Sequence, residues 1–346
     1  MKRTSIADIA KKLNVSKTLV SMVLNGHGDK NGISRETQKR VMETAKKLNY
    51  QPNLFARGLR LGKSNTLGLI VADISNAFYS KISRGIEDNA SKYGYNLMIC
   101  SSDEKEDKEL RLIQMLKERQ VDGLIISSTL SKHEAILRLK KENYPFVLID
   151  RYFPQIKTNY VIVDNYKGAF DAVEHLIKLG YDKIAQITIS PAHITSLKER
   201  TRGYHDALKK YNLRYNKTFN REIPFGNIRD RVYNEIRELI MPPNNVRALF
   251  VANNNLAIAC MESINEMNLR IPQDIALVSF DDINVFKFCY PPVTSIAQPV
   301  DKICEEAVKM LVNEIESSEK LMKKKHVILP TDLVVRRSCG GFLSKL

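Results

Sequence analysis

Apolar residues recur at helical spacing three times within the first fifty positions. Ile6, Ile9, Ala10 and Leu13 form one face, and Ser5 with Asp8 three residues on predicts a capping box at its start. After a break at Asn14-Val15, Ser16 caps a second helix. It buries Val20, Val23 and Leu24 and turns Lys17, Thr18, Ser21, Met22 and Asn25 outward. A polar loop over 26–32 leads to Ser34, the cap of a third helix with Val41, Ala45 and Leu48 inside. Three short amphipathic helices, the second with a polar outer face, describe a helix-turn-helix unit or a plain three-helix bundle.

From Asn65 the period changes. Short apolar runs at 67–72, 97–100, 123–127, 146–149, 184–189, 248–251 and 275–280 alternate with amphipathic stretches such as 79–93, 106–119, 167–179, 199–211 and 256–267. Such alternation predicts parallel strands covered by helices on both faces. There are too many strands for one compact sheet, so two similar Rossmann-like α/β subdomains are expected. At 346 residues the chain also exceeds what one core usually supports.

Charge sharpens this picture. Residues 1–63 hold 14 Lys and Arg against 4 Asp and Glu, so +10 of the net +15 sits on less than a fifth of the chain. A compact basic end is the footprint of a polyanion partner, although a solvated basic face would look the same. Cys100, Cys260, Cys289, Cys304 and Cys339 are scattered, which suits free thiols in a reducing compartment rather than disulfides or a metal site. Charges stand where a secretion signal needs its apolar run, and no stretch is apolar enough to span a bilayer, so a cytoplasmic location is expected. Enzyme motifs are missing too. The first strand is followed by Ala72-Asp73-Ile74-Ser75-Asn76, with no phosphate-cradling glycine, and there is no GxSxG elbow or paired catalytic histidine. Neither a cofactor nor a metal is expected.

Residue identities decide between bundle and reader. The stretch from Ala7 to Ser16, then Leu19-Val20-Ser21-Met22-Val23-Leu24-Asn25, Ser34-Arg35-Glu36-Thr37 and Leu48-Asn49-Tyr50-Gln51-Pro52-Asn53, resembles the headpiece of the lactose-repressor (LacI/GalR) family. The resemblance runs on to about Arg337. It implies a ligand-controlled, sequence-specific transcription regulator, expected to be a repressor. Its fold would be an all-α helix-turn-helix headpiece (1–52), a hinge helix or linker (53–64) and a periplasmic-binding-protein-like core (65–346). Within the core, 65–164 with 298–327 would form one subdomain and 165–297 with 328–340 the other.

The family match places Lys17, Thr18 and Met22 at base-reading positions of a helix lying in the major groove. Ser16, Asn25, Ser34 and Thr37 fall at phosphate-contacting or capping positions, and Ser5 and Ser21 complete the headpiece candidates. In the hinge, Asn53, Ala56 and Arg57 match DNA-contacting positions. Leu59 matches a minor-groove wedge. Leu19 departs from the family's usual Thr, and the loop before Ser34 is about three residues longer than its commonest form. The partner implied is palindromic double-stranded operator DNA read by a homodimer, because no heptad tail precedes Leu346.

In the core, Asp73, Phe78, Tyr79, Asp150, Arg200, Asn254, Asp281 and Gln298 match effector-contacting positions, and Asn227 is the least regular match. Most fall where a strand should end, and ligands of such sheets sit beyond those ends. Carboxylates, a guanidinium and amides beside an aromatic face suit a polyhydroxylated ring, so a small carbohydrate effector is expected. Singly, each could be an Asx turn or a cap. A purine effector is the alternative within the family. From other classes, a sugar-transport protein would need a secretion signal, and a nucleoid protein would not need this core.

Overall fold

The computed structural model describes residues 4–50, 63–190, 193–317 and 324–341. The hinge candidates Asn53, Ala56, Arg57 and Leu59 lie outside these residues. The chain divides into two compact units, 1–64 and 65–346.

The first unit is all-helical. Helix α1 (Ile6–Leu13) opens with a full capping box: the Ser5 hydroxyl accepts from the Asp8 N–H, and the Ser5 N–H donates to Asp8 Oδ2 at 2.8 Å. Ser16 caps α2 (Lys17–Leu24) by accepting from the Leu19 N–H at 3.1 Å, and Ser34 caps α3 (Arg35–Lys47) by accepting from Thr37 N–H at 3.3 Å. Ile9, Val20 and Val41 meet at the centre with no exposed surface, ringed by Ala10, Val23 and Ala45. Leu24 and Leu48 are only partly covered, and Leu19 packs with them, which gives this apolar departure a packing role. The longer loop is ordered by a 3-10 turn, Asp29–Asn31, which the Gln38 amide ties to α3 through Asp29 Oδ1 at 2.9 Å and the Ile33 carbonyl at 2.8 Å.

The second unit holds two six-stranded sheets. Its elements run β1 (Thr66–Val71), α4 (Ala77–Lys92), β2 (Asn96–Ser101), α5 (Glu106–Glu118), β3 (Gly123–Ile126), α6 (Glu134–Lys141), β4 (Phe146–Ile149) and β5 (Tyr160–Val163). Then follow α7 (Asn165–Lys178), β6 (Ile184–Ser190), α8 (Thr195–Lys210), β7 (Asn220–Pro224), α9 (Ile228–Ile240), β8 (Ala248–Val251), α10 (Asn254–Glu266) and β9 (Ala276–Phe280). The last are β10 (Thr294–Ala297), α11 (Val300–Glu316), β11 (His326–Leu329) and β12 (Asp332–Val334).

The first sheet has the order β11-β5-β4-β3-β1-β2 and the second β12-β10-β9-β8-β6-β7. Every strand pairing is parallel except β10 with β12. Central strands are covered on both faces, which is why β1, β4 and β8 read as unbroken apolar runs: Leu67, Leu69, Ile70 and Val71, for instance, expose nothing. Among the described residues the chain passes between the sheets three times. It does so after β5, after β10 and between β11 and β12. Helix α11 packs its Val300, Ile303, Ala307 and Leu311 against the first sheet after leaving the second.

Helices α7 and α8 approach closely at Gly203, where an added Cβ would lie 2.4 Å from the Tyr166 carbonyl oxygen and 2.9 Å from the Phe170 nitrogen. Those are backbone atoms and cannot yield cheaply. Gly203→Ala is therefore expected to cost about 1–3 kcal/mol through overpacking. The measurement is thermal unfolding of the full chain, where the transition of the large unit should fall by several degrees. An unchanged midpoint would refute the close approach.

Candidate functional site

The headpiece face is built by α2. Lys17 and Thr18 are exposed on its first turn, and Ser21 and Met22 are half-buried one turn later. Asn25 ends the helix and donates its side-chain N–H to the Ser21 carbonyl at 2.7 Å. Ser5, Ser16 and Ser34 all act as N-caps here, and the Thr37 hydroxyl lies 2.9 Å from Ser34 Oγ. Each cap takes one backbone N–H, and the remaining first-turn N–H groups of α2 and α3 carry a partial positive charge that favours phosphate oxygens.

The second site lies in the large unit, where strand ends of both sheets meet at a cleft open to solvent. Asp73, Phe78, Tyr79 and Asp150 line it from the first half, and Arg200, Asp281 and Gln298 from beyond the first crossing. Asp150 follows β4 and Asp281 follows β9, both in left-handed backbone conformation, at φ 61° and 71°. The Tyr79 hydroxyl donates to Asp150 Oδ2 at 2.8 Å and lies 3.0 Å from Ser127 Oγ. Burial pushes that phenol well above its ordinary range. Arg200 donates to Asn165 Oδ1 at 2.8 Å and to the Ala252 carbonyl at 2.6 Å, with its guanidinium 3.6 Å over the Phe280 ring. Asp281 accepts from the Gln298 amide at 2.6 Å. Burial raises its carboxyl above the usual range, against the opposing pull of Arg200 and Gln298.

Other expected residues sit differently. Asp73 Oδ1 accepts from the Ser75 N–H and hydroxyl at 2.9 and 2.6 Å, so one of its oxygens is spent on a turn. Phe78 and Tyr79 are nearly buried and edge-on to each other, with ring centroids 5.1 Å apart. The aromatic surface open to the cleft belongs instead to Phe225, which is 39% exposed. Asn227 heads α9 outside the lining, its backbone left-handed at φ 49°. Asn254 is fully buried, and its neighbours Asn253 and Asn255 do the lining.

Sequence reasoning missed Glu104 and Arg151. They form a two-point ion pair in the cleft at 2.5 and 2.8 Å, both nearly buried. The signal was available: Arg151 directly follows Asp150, and Glu104 sits just beyond the end of β2, where the same strand-end rule applies. Among the described residues no group of three or more His, Cys, Asp or Glu is placed to hold a metal, and no helix is long and apolar enough to cross a membrane.

A family model described as "Bacterial regulatory proteins, lacI family" matches residues 5–53, and one described as "Periplasmic binding protein-like domain" matches 173–339. The chain is 32% identical over 340 residues to a ribose operon repressor of Halalkalibacterium halodurans, covering 98% of each protein. Among solved structures, the lac repressor dimer bound to operator and an anti-inducer is 25% identical with a TM-score of 0.81, covering 98% of this chain and 99% of that one. A complex of the transcriptional regulator CelR with cellobiose is 27% identical with a TM-score of 0.71, covering 97% and 100%.

The raised carboxyl of Asp281 has a consequence for stability. A folded-state value above the unfolded one means that the ionised form costs stability. The contribution of Asp281 is intact below the ordinary carboxylate value of about 3.9 and is lost as pH rises through its raised value. Asp281→Asn keeps an acceptor for Gln298 without the charge. Its melting temperature relative to the parent chain should therefore rise as pH increases from about 4 to about 8. A difference that stays flat across that range would contradict the buried charge.

Proposed function

Since the chain belongs to the lacI family of bacterial regulatory proteins, we propose that it is a cytoplasmic, non-enzymatic repressor that reads a palindromic operator as a homodimer. Its operator affinity is set by a small carbohydrate bound in the cleft of the core. The observation that carries the effector reading is the convergence of Asp150, Asp281 and Arg200 on one cleft, with Phe225 exposed beside them. Carboxylates accept from sugar hydroxyls, a guanidinium donates to ring and hydroxyl oxygens, and an aromatic face covers the apolar side of the ring.

Two relatives carry sugar names, the ribose operon repressor and the CelR–cellobiose complex, and others at similar identity carry the name PurR, so the choice of a carbohydrate rests on the side chains of the cleft. The dimer is supported by the lac repressor structure, a dimer on its operator. It is also supported by Val285, Phe288 and Tyr290, which leave 48%, 84% and 93% of their surface exposed on one short segment of the core.

For DNA reading, Lys17 and Thr18 contact base edges while the Ser16 and Ser34 helix ends hold phosphates. Binding selections on randomised duplexes test this division. Lys17→Ala and Thr18→Ala should each change the preferred base at a fixed half-site position, with discrimination altered by about 1–3 kcal/mol. Ser34→Ala should weaken all sequences alike. Unchanged preference in both α2 variants would remove that helix as the reader.

A further inference from the structure

The halves of the core are joined by more than the chain crossings. Thr195, the first residue of α8 in the second half, meets Tyr152, which lies beyond β4 in the first. The Tyr152 N–H donates to Thr195 Oγ1, whose hydroxyl donates back to the Tyr152 carbonyl, each at 3.2 Å. Nearby, His193 Nε2 lies 3.1 Å from the carbonyl oxygen of Thr129, beyond β3. A carbonyl only accepts, so this ring nitrogen carries the proton.

These links stand away from the crossings. The chain leaves the first sheet from β5 and β11, and β3 lies two strands further in than β5. In the second sheet the crossings run from β10 and to β12, and β6, which leads to His193 and Thr195, lies three strands from β10. Bending at the crossings therefore parts the linked residues, and bonds set apart from the bend resist it with leverage.

The first-half side is braced from within. Glu109 exposes nothing and accepts from the Ser128 and Thr129 hydroxyls at 2.6 Å each and from the Thr129 N–H. Arg151 donates to the Ser128 carbonyl at 3.4 Å and is itself held by both oxygens of Glu104. Burying a carboxylate costs stability unless hydrogen bonds offset it, and these bonds all go to the two residues that present the Thr129 carbonyl. On the other side, His193 and Thr195 are half-buried at the start of the helix that carries Arg200 into the cleft.

We propose that the two links form a latch that sets the spacing of the halves, and with it operator affinity, independently of any ligand. Tyr152–Thr195 and Thr129–His193 are its two closures, and Glu109 is a positioning residue that acts through Thr129. The latch rests on the repressor reading above, in which the spacing of the halves controls the headpiece, and it holds whatever ligand the cleft takes.

Three variants of the full chain test it. Thr195→Val keeps the shape and loses both bonds to Tyr152, Thr195→Ser keeps the hydroxyl, and His193→Leu removes the other closure. Two quantities are read without ligand. One is affinity for the duplex recovered by binding selection. The other is the distance, by pulsed electron resonance, between spin labels on unnatural residues at the exposed positions 132 and 198. Thr195→Val and His193→Leu should each add a longer distance and shift operator affinity about threefold to tenfold in one common direction. Thr195→Ser should match the parent in both. Glu109→Met, which removes its acceptors at similar volume, should shift affinity the same way but add nothing beside His193→Leu, a dependence that a merely structural carboxylate would not show. Parent distances in both Thr195→Val and His193→Leu overturn the latch. Longer distances with parent operator affinity, or shifts of opposite sign, overturn its control of the headpiece. A Glu109→Met shift that persists in full beside His193→Leu removes Glu109 from it. A parent chain that recovers no duplex overturns the repressor reading and the latch with it.

Discussion

The core depends on one constraint of parallel pairing: parallel strands finish at the same edge of a sheet, and here the finishing edges of two sheets face one cleft. β4 ends at Asp150 and β9 at Asp281, each turned by a left-handed residue, so two carboxylates arrive from opposite halves of the core. Neither is left bare. Tyr79 donates to Asp150, and Gln298 to Asp281. Arg200, stacked on Phe280 and bonded to Asn165 and Ala252, is held rigidly beside them. Burial of ionisable groups costs stability unless they are paired or hydrogen-bonded. A cleft that keeps Asp281 above its ordinary range stores part of that cost where a ligand can relieve it.

The small unit was legible because its signals are local. Serine caps at Ser5, Ser16 and Ser34 and apolar residues at helical spacing place three helices to within a residue of their observed limits. The fully buried strands were equally plain. Two buried strands still escaped notice, β5 and β10, each only four residues long, and so did three that lack such a run. β7 buries only Ile223 of its five residues, β12 has three residues, and β11 alternates exposed and half-covered positions at a sheet edge. Their partners are distant in sequence, so periodicity alone cannot find them.

The site was half legible for the same reason. A strand-end rule finds Asp150 and Asp281 because each directly follows an apolar run. It cannot tell which neighbour turns inward. Asn254 is buried while Asn253 and Asn255 reach the cleft, and Phe225 rather than Asn227 lines it. The Arg151–Glu104 pair joins residues 47 positions apart, a contact that only the fold brings together. The hinge candidates fall outside the described residues and stand as the family resemblance gave them.

Three chain crossings join the halves of the core, so the halves can shift relative to each other only by bending there, after β5, after β10 and between β11 and β12. A ligand that bridges the halves selects one spacing of them, and the headpiece reads that choice as a change in operator affinity. Linkage makes the coupling reciprocal. The direct measurement is calorimetric titration of a saccharide that the full chain binds into that chain, free and bound to its selected operator. The saccharide affinity should change on operator binding by the same factor, about 5–150, by which the saccharide changes operator affinity. Equal saccharide affinities with and without operator would contradict a cleft that controls DNA binding.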